Sequence, residues 1–168
     1  MSAPIELVIL GSTGSIGVQA LEIVEANPSL FRVVAITAAG SNTELLISQA
    51  KKFNVPVIGV TKNADQIKAA LPNSTVIDGP LASTEIAAIT CDVDLIGATF
   101  LEKNSDLAAN TKHSTAKQAA QIAKMANVKQ LMLGHFSNRY PNKEDFITEA
   151  SDTFQNVILA EDLKTFNI

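Results

Sequence analysis

The chain has 168 residues, a formal net charge of −4 and an apolar content of 46% with few aromatics. That length suits one domain with a substantial core, and an acidic balance without any basic tract excludes nucleic acid as a partner. A single cysteine, Cys91, rules out an intrachain disulfide framework and reads as a small core residue in a reducing compartment. With no signal peptide and no run near the roughly 20 apolar residues of a membrane span, the sequence predicts a cytoplasmic protein without a membrane partner.

The first apolar run, Leu7 to Leu10, predicts a strand, and Ile16 to Ala26 the helix after it. Asn27-Pro28 stops that helix, because the residue before proline is pushed out of the α region. Further strands are predicted at Val33 to Ile36, Val57 to Val60, Thr75 to Ile77, Val93 to Ile96, Gln130 to Leu133 and Val157 to Leu159. Between them fall helical periods over Thr43 to Phe53, Ala64 to Leu71, Ser83 to Ala88, Ala116 to Ala126 and Glu144 to Phe154. Thr115 with Gln118 reads as a capping box, and Asn142 with Asp145 as a similar start. Phe146, Ile147, Ala150 and Phe154 share one face of the last helix. Alternating strands and helices predict an α/β fold, a single doubly wound, mostly parallel Rossmann-like sheet of six or seven strands with helices on both faces. Because parallel strands share one polarity, the loops over 11–17, 37–42, 97–99 and 134–138 should share a rim.

The first strand runs straight into Gly11, Gly14 and Gly17 and then into a helix. Such a turn leaves the strand tightly, lets backbone approach a phosphate and points a helix N-terminus at it. Gly11, Ser12, Thr13, Gly14, Ser15, Ile16 and Gly17 are therefore candidate cofactor-binding residues; the bland alternative is a mere strand-to-helix turn. The second strand ends at Thr37, not at an acid that would hold a free ribose 2′-hydroxyl, which favours NADP over NAD. His113 and His135 read as structural loop residues, Arg139 and Tyr140 as loop anchors, and Lys51 and Lys52 as a solvated helix face.

From Ile5 to about Asp94 the chain resembles the N-terminal NADPH-binding part of 1-deoxy-D-xylulose 5-phosphate reductoisomerase. The residues carrying this are Leu10-Gly11-Ser12-Thr13-Gly14-Ser15-Ile16-Gly17, Ala20-Leu21-Glu22-Ile23-Val24, Phe31-Arg32-Val33-Val34-Ala35 and Ala39-Gly40-Ser41-Asn42. The resemblance implies that the first loop holds the cofactor pyrophosphate and that Gly40, Ser41 and Asn42 receive the adenosine 2′-phosphate. Ser41 stands where that family often has a basic residue.

From Asp94 onward the chain resembles the C-terminal part of ribonuclease Z, of the metallo-β-lactamase fold. The carrying segments are Ala98-Thr99-Phe100-Leu101-Glu102, His113-Ser114-Thr115-Ala116, Leu133-Gly134-His135-Phe136-Ser137-Asn138-Arg139-Tyr140 and Ile158-Leu159-Ala160-Glu161-Asp162. The resemblance makes His135 the match of a zinc ligand and His113 the neighbour of a scissile phosphate. With two histidines in the chain and no His-x-His-x-Asp-His signature, no metal site is expected.

Together these readings predict one hybrid domain, 1–94 reductoisomerase-like and 95–168 ribonuclease Z-like, engineered or recombined, with no catalytic activity and no required cofactor. It is expected to retain weak NADP(H) binding, a dinucleotide being its partner. Two alternatives stand beside this: an NADP-binding module derived from a reductoisomerase, and a zinc-dependent phosphodiesterase.

Overall fold

A computed structural model describes residues 3–111 and 113–161. The first strand, β1 (Ile5–Leu10), leads through α1 (Ser15–Ala26) to β2 (Phe31–Ala38), α2 (Thr43–Lys52) and β3 (Val57–Val60). The alternation continues through α3 (Ala64–Ala70), β4 (Thr75–Asp78), α4 (Ala82–Ala87) and β5 (Val93–Ile96). These strands form one sheet in the order β4-β3-β2-β1-β5. The chain steps outward from β1 to β4 and then crosses back to lay β5 on the other side of β1, so the winding reverses beside β1.

Side-chain alternation explains how helices cover both faces. Leu7 and Ile9 of β1 pack in one cluster with Leu21 and Val24 of α1, Leu46 and Ala50 of α2, and Ile67 of α3. Val8 packs in another with Val34, Ala35 and Ile86 of α4. Val34 and Ala35, though consecutive, share the α4 face because the β1–β2 register slips there: Leu7 opposes Val33 and Val8 opposes Ala35. Gly59 completes that face, since a Cβ on it would meet Ile86 Cγ1 at 2.7 Å; its absence lets α4 settle on the sheet. Cys91 packs, half-buried, against the same cluster.

The chain divides into two compact units after Leu95, inside β5. The second unit has β6 (Ala98–Phe100), α5 (Ser105–Thr111), β7 (Ser114–Thr115), α6 (Ala116–Ala126), β8 (Leu131–Leu133), α7 (Glu144–Ser151) and β9 (Val157–Leu159). Here the expectation of one sheet of six or seven strands is corrected. Five strands share the first sheet, while β6 pairs with β7 and β8 with β9 in separate parallel ladders. The physical reason is that these strands are two or three residues long and feed a core of their own. Phe146, Leu133, Ala119, Ala120 and Ala123 are its buried centre, and Phe100, Leu131 and Tyr140 close it.

Three second-unit elements, β6, α5 and β7, were not legible as periodic runs. The capping box of α6 forms as predicted: Thr115 Oγ1 accepts from Gln118 N at 3.1 Å and Gln118 Oε1 from Thr115 N at 3.0 Å. At α7, Asn142 does pair with Asp145, its Nδ2 donating to Asp145 Oδ1 at 3.0 Å while its Oδ1 accepts from Glu144 N at 3.3 Å. Lys143, however, stands at the N-cap, and the helix ends at Ser151 rather than at Phe154. Among the described residues no helix is long and apolar enough to cross a membrane.

Candidate functional site

The glycine turn is built by three different constraints. Gly11 sits at φ +84°, in the left-handed region that the turn out of β1 requires. Its N–H donates to Thr37 O at 3.1 Å and to Thr37 Oγ1 at 3.0 Å, and Ser12 N donates to Thr37 O at 2.8 Å, so the end of β2 anchors the loop. Gly17 is required by contact: a Cβ there would lie 2.4 Å from Ser12 Cα and 2.5 Å from Gly11 O. Gly14 is looser, its Cβ position 3.3 Å from Gly11 O, and it stands at the N-cap of α1. No side chain caps α1 and its first turn carries no acid, while Gly14 and Ser15 are exposed. The first backbone N–H groups of α1 thus point outward at the rim, the arrangement in which a helix N-terminus receives an anion.

Behind the loop lies a pair that the sequence did not announce. Ser12 is fully buried; its Oγ donates to Gln49 Oε1 at 2.9 Å, and Gln49 Nε2 donates back to Ser12 O at 2.9 Å. Ser12 is therefore a framework residue that fixes the loop, not a group facing a ligand. A signal was present: Leu46, Gln49, Ala50 and Phe53 follow a helical apolar period, and a glutamine inside that stripe needs a buried partner. Gln49→Leu is expected to leave both Ser12 groups unpaired and to destabilise the first unit by about 2 kcal/mol, read as a lower urea midpoint in far-ultraviolet circular dichroism.

Gly40, Ser41 and Asn42 follow β2. Gly40 lies at φ +78°, buried, with a hypothetical Cβ 2.3 Å from Lys62 O. Asn63 Nδ2 donates to Gly40 O at 2.9 Å and Thr61 Oγ1 to Ala39 O at 3.0 Å, tying this turn to the loop after β3. Asn42 is the N-cap of α2, its Oδ1 accepting from Leu45 N at 3.1 Å, and Ser41 is exposed. Within the first unit the loops over 11–17 and 37–42 therefore adjoin, as parallel polarity predicts. Within the second, Ser137 N donates to Thr99 O at 3.1 Å and Ala98 N to Gly134 O at 3.3 Å, which brings its two loops together.

In that second unit His113 and His135 stack, ring centroids 5.4 Å apart at 23°, and the edge of Phe100 meets His113 at 5.9 Å. His113 Nδ1 lies 3.1 Å from Thr111 Oγ1. His135 takes φ +64°. Among the described residues no three His, Cys, Asp or Glu side chains converge as metal ligands. Burial of its ring, and then the charge of His113, lower the His135 pKa from its ordinary 6.5. A lowered folded pKa means that the unfolded chain binds the proton more readily, so the second unit should lose stability as pH falls through about 6.5 and hold it above. His135→Asn, which tolerates the same backbone, should flatten the urea midpoint between pH 7.5 and 5.5 relative to the parent.

Known proteins bear on both units. The sequence profile of 1-deoxy-D-xylulose 5-phosphate reductoisomerase matches residues 7–100, more than half of the chain. The chain belongs to the 1-deoxy-D-xylulose 5-phosphate reductoisomerase family. The reductoisomerase of Beutenbergia cavernae is 39% identical over 132 residues, covering 69% of this chain and 34% of that protein. Ribonuclease Z of Lactobacillus acidophilus is 34% identical over 163 residues, covering 82% of this chain and 51% of that protein. The reductoisomerase of Zymomonas mobilis, solved with NADPH, superposes with a TM-score of 0.62 at 21% identity, covering 95% of this chain and 39% of its own. That likeness shows the fold. The chain spans about a third to a half of the length of these curated relatives.

The reductoisomerase match takes in both the glycine turn and the 39–42 turn. Two residues that shape them, Thr37 and Gln49, act through bonds between distant segments.

Proposed function

We propose that the first unit is an NADP(H)-binding module. The observation that carries this reading is the turn over Gly11 to Gly17, whose backbone is held open by glycine where any Cβ at position 17 would strike Ser12 and Gly11. A backbone cradle of that kind, ahead of an uncapped helix N-terminus beside the winding reversal, fits a dinucleotide pyrophosphate. Gly11, Thr13, Gly14, Ser15, Ile16 and Gly17 would line it, with Ser12 behind. The 39–42 turn, next to the end of β2, would take the adenosine ribose, and the absence of an acid there favours the phosphorylated cofactor. NADPH, when bound, supplies a hydride; the chain's own residues here bind and orient, and offer the cofactor no proton donor or acceptor from the buried Ser12–Gln49 pair.

We also propose that the chain consumes no NADPH by itself and works in the cytoplasm, and that it joins this module to a ribonuclease Z-like second segment. The hybrid composition rests on the sequence segments themselves, Leu10 to Gly17 and Ala39 to Asn42 before residue 94 and His113 to Ala116 and Leu133 to Tyr140 after it. Calorimetric titration tests the binding. Heat that saturates with NADPH supports the module; no heat at high micromolar NADPH removes it. Cofactor fluorescence followed with 1-deoxy-D-xylulose 5-phosphate present tests turnover, where steady NADPH loss above the buffer rate would refute the non-catalytic reading.

A further inference from the structure

We infer that Lys62, from the loop after β3, supplies the cation that recognises the adenosine 2′-phosphate and so sets the preference for NADPH over NADH. The inference rests on the proposed dinucleotide-binding role of the first unit and adds to it a residue outside both turns.

The geometry begins with Gly40. Its buried backbone is packed so closely on Lys62 that a Cβ would sit 2.3 Å from Lys62 O, 3.0 Å from its carbonyl carbon and 3.4 Å from its Cα. The flanking residues lock the same two loops: Thr61 Oγ1 donates to Ala39 O at 3.0 Å, and Asn63, in the left-handed region at φ +60°, donates through Nδ2 to Gly40 O at 2.9 Å. Lys62 is thus held by both neighbours directly against the turn that follows β2. Parallel strands about 4.8 Å apart put this loop one strand beyond β2, on the same rim as the glycine turn after β1.

Charge then decides the role. Across residues 37–42 and 61–63 Lys62 is the sole cation, and the 39–42 turn offers only backbone, Ser41 and Asn42. A phosphate dianion at that turn needs a charge-assisted donor, and an exposed lysine on a flexible stem meets the need as a mobile point charge. Among the described residues the cations engaged in ion pairs are Arg32, Lys52, Lys68 and Lys117, so Lys62 carries no competing carboxylate. Asp65 and Asp78 line the same cleft as Lys62, but neither forms an ion pair with it among the described residues, and Asp78 is held by Lys68 at 3.6 Å.

Titrations of NADPH and NADH into the whole chain, followed by calorimetry, test the assignment in the parent, in Lys62→Ala, and in Lys62→Ala with Ser41→Lys. The expected result is that Lys62→Ala weakens NADPH about tenfold, solvent having trimmed a charge-assisted bond, and leaves NADH unchanged. Ser41→Lys should restore most of the preference by returning a cation to the same turn. If NADPH still binds Lys62→Ala with the parental ratio over NADH, the assignment is wrong while the module stands. If the parent binds neither dinucleotide, the module itself is wrong and the assignment falls with it.

Discussion

Gly17→Ala is expected to cost the first unit about 3 kcal/mol and to abolish NADPH binding. The methyl would arrive 2.4 Å from Ser12 Cα, 2.5 Å from Gly11 O and 2.7 Å from Ser12 C, so the obstruction is backbone on every side. Side chains can rotate away from an intruder, but this loop cannot. Ser12 is pinned by Gln49 at 2.9 Å and by Thr37 O at 2.8 Å, and Gly11 is pinned to the same threonine. Relief therefore requires α1 to move off the loop, which pulls Leu21 and Val24 from the core they share with β1. Gly14→Ala provides the control. Its Cβ would meet only Gly11 O, at 3.3 Å, on an exposed corner, and the loss should stay within about 1 kcal/mol. Urea titrations followed at 222 nm give the two midpoints, and NADPH calorimetry on the same samples gives the binding. Equal midpoints for the two variants would show that the third glycine does not hold the cradle.

Phe146→Ala should remove most of the second unit's stability, about 4 kcal/mol. Its ring is fully buried and meets Phe136 at 4.8 Å and Tyr140 at 5.2 Å, both edge-on, so truncation loses transfer energy and two aromatic contacts and leaves a cavity. The alanines of α6 that face the same core, Ala119, Ala120 and Ala123, are too small to close it. Tyr140 is the chain's one tyrosine and there is no tryptophan, so intrinsic fluorescence reports this unit alone. The expected result is a tyrosine transition at much lower urea than in the parent. A tyrosine midpoint that does not move would mean that the Phe146 cluster is not the centre of the fold.

How much could be read in advance depended on the range of the interactions concerned. The strand after strand of β-branched residues in the first unit, the Asn27-Pro28 stop and the Thr115 box are local patterns. Each appeared where expected, because a helix or a doubly covered strand writes its burial into neighbouring residues. The ladders β6–β7 and β8–β9 did not follow the expected single sheet. A pairing partner is chosen by the core that a short strand feeds, and Phe100, Leu131 and Leu133 turned inward on Phe146. Ser12 shows the same limit at the site. Its place between Gly11 and Thr13 marked it as a ligand contact, yet a bond to Gln49, 37 positions away, buries it.

The sequence by itself determined the glycine turn, the alternation of strands and helices and the absence of an acid at the end of β2, since spacing and residue type are written along the chain. Only the tertiary structure decided which strands share a sheet, that Gln49 and Thr37 hold the turn from behind, and that Lys62 lies against Gly40. Those are contacts between segments that the register of the parallel sheet and the crossing of α2 bring together. They depend on three-dimensional adjacency, which local propensity does not encode.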